Sequence, residues 1–167
     1  MVIRRAEAVD KPAIHRLLRQ VNQLHSDGRP DLFKAGGQKY TDAELDGILA
    51  DDSRPVFVAR NAEGQCVGYA FCIYQQQPET MNMHPRKTLY IDDLCVDAAA
   101  RRQGIGQELY AHVLAQAEAN DCDSVTLNVW ECNAPARRFY EQQGLVPLKT
   151  TMERQIQRRD SFYTHQG

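Results

Sequence analysis

Residues 90–106 read YIDDLCVDAAARRQGIG, and this short stretch holds residue types that suit proton transfer and anion binding. Asp92 and Asp93 are adjacent acids inside an apolar run. A carboxylate removed from water costs free energy unless it is paired or used, and a perturbed acid can serve as a base. The apolar positions around the pair slip by one, with Leu89 and Ile91 odd and Leu94 and Val96 even. A β-bulge absorbs one extra residue in this way, and it splays the strand from its neighbour, leaving backbone groups open to a ligand. A fully buried strand without alternation is the other reading. Arg101-Arg102-Gln103-Gly104-Ile105-Gly106 then runs straight into a long helical pattern. Glycines let a backbone approach a ligand closely, and the first N–H groups of a helix lack intrahelical partners. With the helix dipole added, the junction suits a phosphate or pyrophosphate, although a plain glycine turn has the same sequence. A dinucleotide fingerprint is not met, because Leu109 stands where its third glycine belongs.

The elements that must position these groups follow from periodicity. VIRRAE (2–7) reads as a first strand, and Asp10 as a helix N-cap with Pro12 in the first turn. Ile14, Leu17, Leu18, Val21 and Leu24 continue it as one buried stripe. Thr41 and Glu44 form a capping box ahead of Leu45, Ile48 and Leu49, which predicts a second helix. PVFVAR (55–60), the turn NAEG and CVGYAFCIY (66–74) read as an antiparallel hairpin. Strands are expected at 88–96 and 124–130, and helices at 104–120 and 133–143, the last closed by Gly144. Residues 146–156 are expected to supply one or two last strands, and 158–167 a polar tail after a single domain spanning 1–157. The linkers 25–40 and 75–87 are long enough to be functional.

A chain of 167 residues suits one domain with a proper core. Its net charge of −2 gives no nucleic-acid footprint. No apolar run reaches membrane-spanning length, and the N-terminus has no signal-like stretch. The five cysteines, Cys66, Cys72, Cys95, Cys122 and Cys132, lack C-x-x-C spacing and form an odd set. This argues against a disulfide framework or metal site and for a cytoplasmic setting.

The pattern R-x-x-G-x-G after a strand ending in LCV resembles motif A of the GNAT N-acetyltransferases. The downstream NAPARRFYEQQGL resembles their motif B, and the likeness is specific over about residues 88–148. It implies a mixed α/β fold: a mostly antiparallel twisted sheet, splayed after the fourth strand and flanked by helices. Acetyl-CoA would enter the gap as co-substrate, with no metal. By resemblance, the backbone of Leu94, Cys95 and Val96 would pair with the pantetheine arm and acetyl group. The N–H groups of Arg102, Gln103, Gly104, Ile105, Gly106 and Gln107 would hold the pyrophosphate; Arg101 matches the motif's first position, and Asn133 would contact the cofactor from the other side. A homodimer is also implied. Within the superfamily, YIDDLCV followed by RQGIG most resembles the diamine (spermidine/spermine) acetyltransferases, which typically carry glutamate where this chain has Asp92.

Transfer to an amine sets three requirements. An ordinary primary amine near neutral pH is only about one part in a thousand unprotonated, a penalty of roughly 4 kcal/mol unless a base removes the proton. The developing oxyanion needs a fixed donor, which the Val96 amide can supply. The thiolate leaving group needs a proton. Asp92 is the candidate base, through water, with pairing to a nearby Arg or Lys as the competing role. Asp93 would face the other way on a regular strand and is expected to be structural. Tyr140 is the candidate acid, with a core aromatic beside Phe139 as the alternative. His112 is expected on a helix surface, and His25 and His84 are secondary substrate-site candidates. Asp27, Asp31 and Glu44 could favour a cationic acceptor, while Arg29, Lys34 and Lys39 counter them. The expected reaction moves an acetyl group to a primary amine of a small, polyamine-like or amino-acid-like molecule. A non-catalytic acyl-CoA sensor, and an enzyme acting on a protein N-terminus or lysine, are the alternatives.

Overall fold

The structure is a computed structural model and describes residues 1–157. Five strands form one sheet in chain order: β1 (Val2–Arg5), β2 (Val56–Arg60), β3 (Cys66–Gln77), β4 (Arg86–Val96) and β5 (Ser124–Leu127). The first four pair antiparallel, and β5 joins β4 in parallel. Four helices accompany them: α1 (Lys11–Gly28), α2 (Asp42–Leu49), α3 (Ile105–Ala119) and α4 (Ala134–Gln142).

Strand alternation divides the core between the two faces of the sheet. Ile14, Leu17 and Leu18 of α1 and Leu45 and Ile48 of α2 pack with Val56, Val58, Tyr69 and Phe71 on one face. Ile105, Leu109, Val113 and Ala117 of α3 pack with Phe57, Ala70, Cys72, Leu89 and Ile91 on the other. The capping box at Thr41 forms as its sequence requires: Thr41 Oγ1 accepts from Glu44 N (3.1 Å), and Glu44 Oε2 accepts from Thr41 N (2.7 Å). The Asn133 side chain accepts from the Ala136 N–H and caps α4.

The expected bulge is present. Asp93 sits opposite Phe71 while Ile91 sits opposite Cys72, so Asp92 is the extra residue in β4. After it, Leu94 and Val96 return to the α3 face occupied by Leu89 and Ile91, which explains the one-residue slip in the pattern. Pairing of β4 with β5 stops at Ile91↔Leu127, whereas pairing with β3 continues to Val96↔Gly68. The sheet therefore opens on the β5 side of Asp92–Val96.

Several boundaries differ from expectation. β3 runs on to Gln77 and β4 starts at Arg86, so both ends of the supposed 75–87 linker belong to a long hairpin and residues 78–85 form its loop. β5 ends at Leu127 rather than 130, where its pairing with β4 ends. Residues 146–156, expected to form strands, have no ladder partner and no strand assignment among the described residues. Val146, Leu148, Met152 and Ile156 are 81%, 79%, 91% and 86% exposed. The expected tail at 158–167 lies outside the described residues.

Asp10 closes the N-terminal corner. It is 2% exposed, accepts from Arg4 Nη1 at 2.8 Å and Arg60 Nη1 at 3.1 Å, and accepts from the Glu7 N–H at 2.9 Å. Hydrogen bonds to a charged group contribute about 1.5–3 kcal/mol. Asp10→Ala is expected to lose about 2–3 kcal/mol by urea denaturation, since the partly exposed arginines can rehydrate. A loss below about 0.5 kcal/mol would show that the cluster is stabilised by solvent alone.

Candidate active site

The anion-binding half lies at the β4–α3 junction. Arg102 and Gly104 have φ values of 64° and 77°, so left-handed residues alternate with ordinary ones just before the helix. This geometry turns successive N–H groups into one concavity. The first backbone bond of α3 runs from Glu108 N to the Gly104 carbonyl at 3.0 Å. Among the described residues, no chain acceptor takes the N–H groups from Arg102 to Gln107. Unpaired donors at a helix start, with Arg101 and Arg102 exposed beside them, fit a pyrophosphate. Gly106 serves the packing: an added Cβ would lie 3.3 Å from the Phe139 ring and 3.6 Å from Val96 Cγ2. That close approach sets α4 against the start of α3.

The open edge of β4 continues from the junction. Asp97 N–H donates to Val67 O at 2.8 Å, so its backbone faces β3. Backbone groups alternate along a strand, which turns those of Leu94 and Val96 toward the edge that β5 has left, and those of Cys95 toward β3. Leu94 and Val96 are thus available to an extended ligand; Cys95, expected with them, has its backbone engaged in the sheet.

Beyond that edge is a cavity of about 900 Å³ that receives Asp92, Asp93, Lys39, His25, Trp130 and Tyr140. Asp93 departs from the orientation expected of a regular strand. The strand is not regular, and the bulge brings both carboxylates to one cavity. Asp92 Oδ2 binds Lys39 Nζ at 3.1 Å and lies 3.5 Å from Tyr40 Oη. The Tyr69 hydroxyl donates to Asp93 Oδ2 at 2.7 Å. Burial raises the Asp93 pKa, opposed by the charge of Lys39 and the Tyr69 hydrogen bond. Burial also raises the Tyr140 phenol, reinforced by the negative charge of Asp93. Burial pushes Cys72 and Cys95 each up to about 12, so neither is a ready thiolate nucleophile.

The other expected residues distribute unevenly. His25 lines the cavity, where burial lowers its pKa, and it stands 4.8 Å from Phe33 and 6.3 Å from Trp130 between ring centroids. His84 is exposed in the β3–β4 turn, and His112 packs edge-on to Phe57 at 4.7 Å; neither lines the cavity. Asp27, Asp31 and Glu44 do not line it either. Asp31 binds Arg29, Asp27 accepts from Gln23, and Glu44 serves the capping box, so local partners use these acids. Tyr40, Tyr69 and Trp130 carry no sequence signal as site residues, because they lie beside a helix cap, on a core strand and beyond a strand end with no motif joining them; Lys39 is visible in sequence only as a loop charge, and its pairing with Asp92 is the competing role expected for that acid.

The family model described as "Acetyltransferase (GNAT) family" matches residues 18–145. The chain belongs to the GNAT acetyltransferase family. Among solved structures, a mutant of the BH1408 protein from Bacillus halodurans is 29% identical with a TM-score of 0.91, covering 94% of this chain and 100% of that one. An aminoglycoside N-acetyltransferase in complex with CoA has the same fold, with a TM-score of 0.69 at 15% identity over 93% of this chain and 99% of that one. N-alpha-acetyltransferase 30 of Xenopus laevis is 33% identical over 84 residues, 49% of this chain and 28% of that protein. The human protein of that name matches equally over 21% of its length. The chain therefore matches less than a third of these curated relatives. None of these relatives bears the name of a diamine acetyltransferase.

The left-handed Gly104 supplies a direct test. No atom lies within 4 Å of an added Cβ, so Gly104→Ala tests backbone conformation alone. It is expected to destabilise the CoA-free protein by about 1–2 kcal/mol in chemical denaturation. An unchanged midpoint would contradict the left-handed geometry.

Proposed function

We propose that the protein is an acetyl-CoA-dependent N-acetyltransferase that moves an acetyl group by direct transfer to a primary amine of a small molecule. The observation that carries this reading is the meeting of two carboxylates and a half-buried tyrosine in one cavity, with an open strand edge and an unpaired N–H concavity following the carboxylates along the chain. Acetyl-CoA supplies an activated acyl thioester. The concavity at Arg102–Gln107 and the open edge at Leu94 and Val96 suit its pyrophosphate and its extended arm. Asp92 takes the acceptor's proton, directly or through water, while Asp93 adds negative charge that attracts an ammonium group. The Val96 amide faces the open edge and serves as the oxyanion donor. Tyr140 returns a proton to the leaving sulfur. Its raised pKa keeps the phenol protonated past the ordinary value of 10.0, the state an acid must hold before transfer. The high thiol pKa values of Cys72 and Cys95 support direct transfer over a cysteine-bound intermediate.

A protein N-terminus is the second acceptor class, favoured by the similarity to N-alpha-acetyltransferase 30. Thiol release from acetyl-CoA with polyamines, amino acids, aminoglycosides and N-terminal peptides distinguishes the classes. Turnover confined to peptides would replace the small-molecule reading. CoA stabilisation without turnover on any acceptor would favour a sensor. Tyr140→Phe is expected to bind CoA normally and lose about 10²–10⁴-fold in kcat. Unchanged kcat would remove Tyr140 from the acid role.

We also propose that two copies pair through residues 145–157. Each copy presents an alternating apolar segment with no ladder partner among its described residues, and β5 is the last strand of its sheet. A two-fold exchange would cover both features in both copies. Sedimentation is expected to give a dimer, and Leu148→Asp combined with Ile156→Asp a folded monomer. A wild-type monomer at micromolar concentration would overturn the pairing.

A further inference from the structure

The acid pair already holds an alkylammonium group, and it comes from the protein itself. Lys39 Nζ lies 3.1 Å from Asp92 Oδ2, with the Lys39 side chain 41% and the Asp92 side chain 28% exposed. The ammonium also lies 5.3 Å from the centroid of the Tyr40 ring. Two opposite charges and an aromatic face are what a cationic acceptor would need from this cavity.

Lys39 is not carried there by a loose loop. Tyr40 stacks on Phe71 at 5.9 Å, Phe71 meets Tyr69 edge-on at 5.0 Å, and the Tyr69 hydroxyl binds Asp93. Thr41, the next residue, caps α2. On the other side, Gln38 Nε2 donates to Tyr40 O at 2.8 Å, and Gly37 N–H donates to Lys34 O at 3.1 Å. The backbone flanking Lys39 is therefore fixed by core packing, a helix cap and turn bonds. The Lys39 stem enters the same cavity as Tyr140.

We propose that Lys39 is a self-acetylation site, its ε-amine occupying the acceptor position and receiving the acetyl group in the absence of a free amine. This inference rests on the acetyltransferase reading above. Asp92 takes a proton from the ammonium and passes it to solvent, and the freed Nζ lone pair forms the N–C bond to the acyl carbon. The C–S bond breaks, its electron pair leaves on sulfur, and Tyr140 protonates the thiolate; the amide nitrogen then gives up its remaining extra proton, which returns through solvent to the Tyr140 phenolate and restores both groups. The products are Nε-acetyl-lysine and CoA thiol, with no oxidant or reductant. Acetylation removes the positive charge paired with Asp92 and so releases that carboxylate for an incoming ammonium. The lysine is at once a competitor of the acceptor and a residue whose modification ends the competition.

The test uses the full chain with acetyl-CoA and no added amine, followed by peptide mass spectrometry at all five lysines: Lys11, Lys34, Lys39, Lys87 and Lys149. Lys39 is expected to gain an acetyl group at least about tenfold faster than the other four, as positioning beside the reacting group requires. Asp92→Asn should remove that preference, so that Lys39 labels no faster than the other lysines. Lys39→Arg should abolish the modification and keep the pairing charge. Protein acetylated at Lys39 should show a lower KM for a cationic acceptor than the unmodified chain. The amine panel run in parallel separates two failures. Turnover of an amine with Lys39 labelled no faster than the other lysines overturns the self-acetylation site alone. No turnover and no preferential labelling, with CoA bound, overturns the acetyltransferase reading with it. Preferential labelling of Lys39 without amine turnover supports both the site and transfer to nitrogen.

Discussion

One extra residue in β4 organises the candidate active site of this molecule. A regular strand through residues 89–96 would have to place either its apolar side chains or its acids on the wrong face. The bulge at Asp92 lets Leu89 and Ile91 before it, and Leu94 and Val96 after it, share the α3 face. It returns Asp93 and Cys95 to the α1 face, and Cys95 joins the core there. The added twist of a bulged strand coincides with the end of pairing to β5. The same irregularity therefore gathers the carboxylates and opens the backbone edge beside them.

The electrostatics of the cavity follow from this placement. Two neighbouring carboxylates repel, and burial disfavours charge on Asp93. Here the cost is divided. Asp92 pairs with Lys39, while Asp93 accepts from Tyr69 and is raised by its burial. The same negative charge helps keep the Tyr140 phenol protonated. The candidate acid and base thus sit in different surroundings: the Tyr140 phenol is half-buried near Asp93, and Asp92 is paired with an ammonium. The aromatic chain Tyr40–Phe71–Tyr69 ties this arrangement to the hydrophobic core, so the charged groups are held by packing as well as by their mutual attraction.

The two functional halves meet because α3 and α4 pack closely. Gly106 lets the Phe139 ring approach, and Tyr140 follows directly on the same helix. The helix that bears the candidate acid is therefore positioned against the turn suited to the cofactor's phosphates. Asn133 starts that helix by capping it, a role that uses its side-chain oxygen locally.

The sequence by itself determined the local features: the capping box of α2, the apolar stripes of the helices, the β2–β3 hairpin, the slip that marks the bulge, and the glycine turn into α3. Each depends on neighbours within a few residues, whose spacing is visible along the chain. Tyr140 and Asp92 were legible because motifs of a known family surround them. Only the tertiary structure decided that Asp93 shares the cavity with Asp92, because the direction of a side chain past a bulge depends on how the partner strand pairs. It also assigned Asp31 and Glu44 to local bonds, and joined Lys39 to Asp92 across 53 positions of sequence. Residues 146–156 carry an alternating pattern that suggests strands, yet a ladder needs a second edge in register, and no described residue of this chain provides one. Periodicity encodes which face a residue prefers; what that face meets depends on contacts between distant segments.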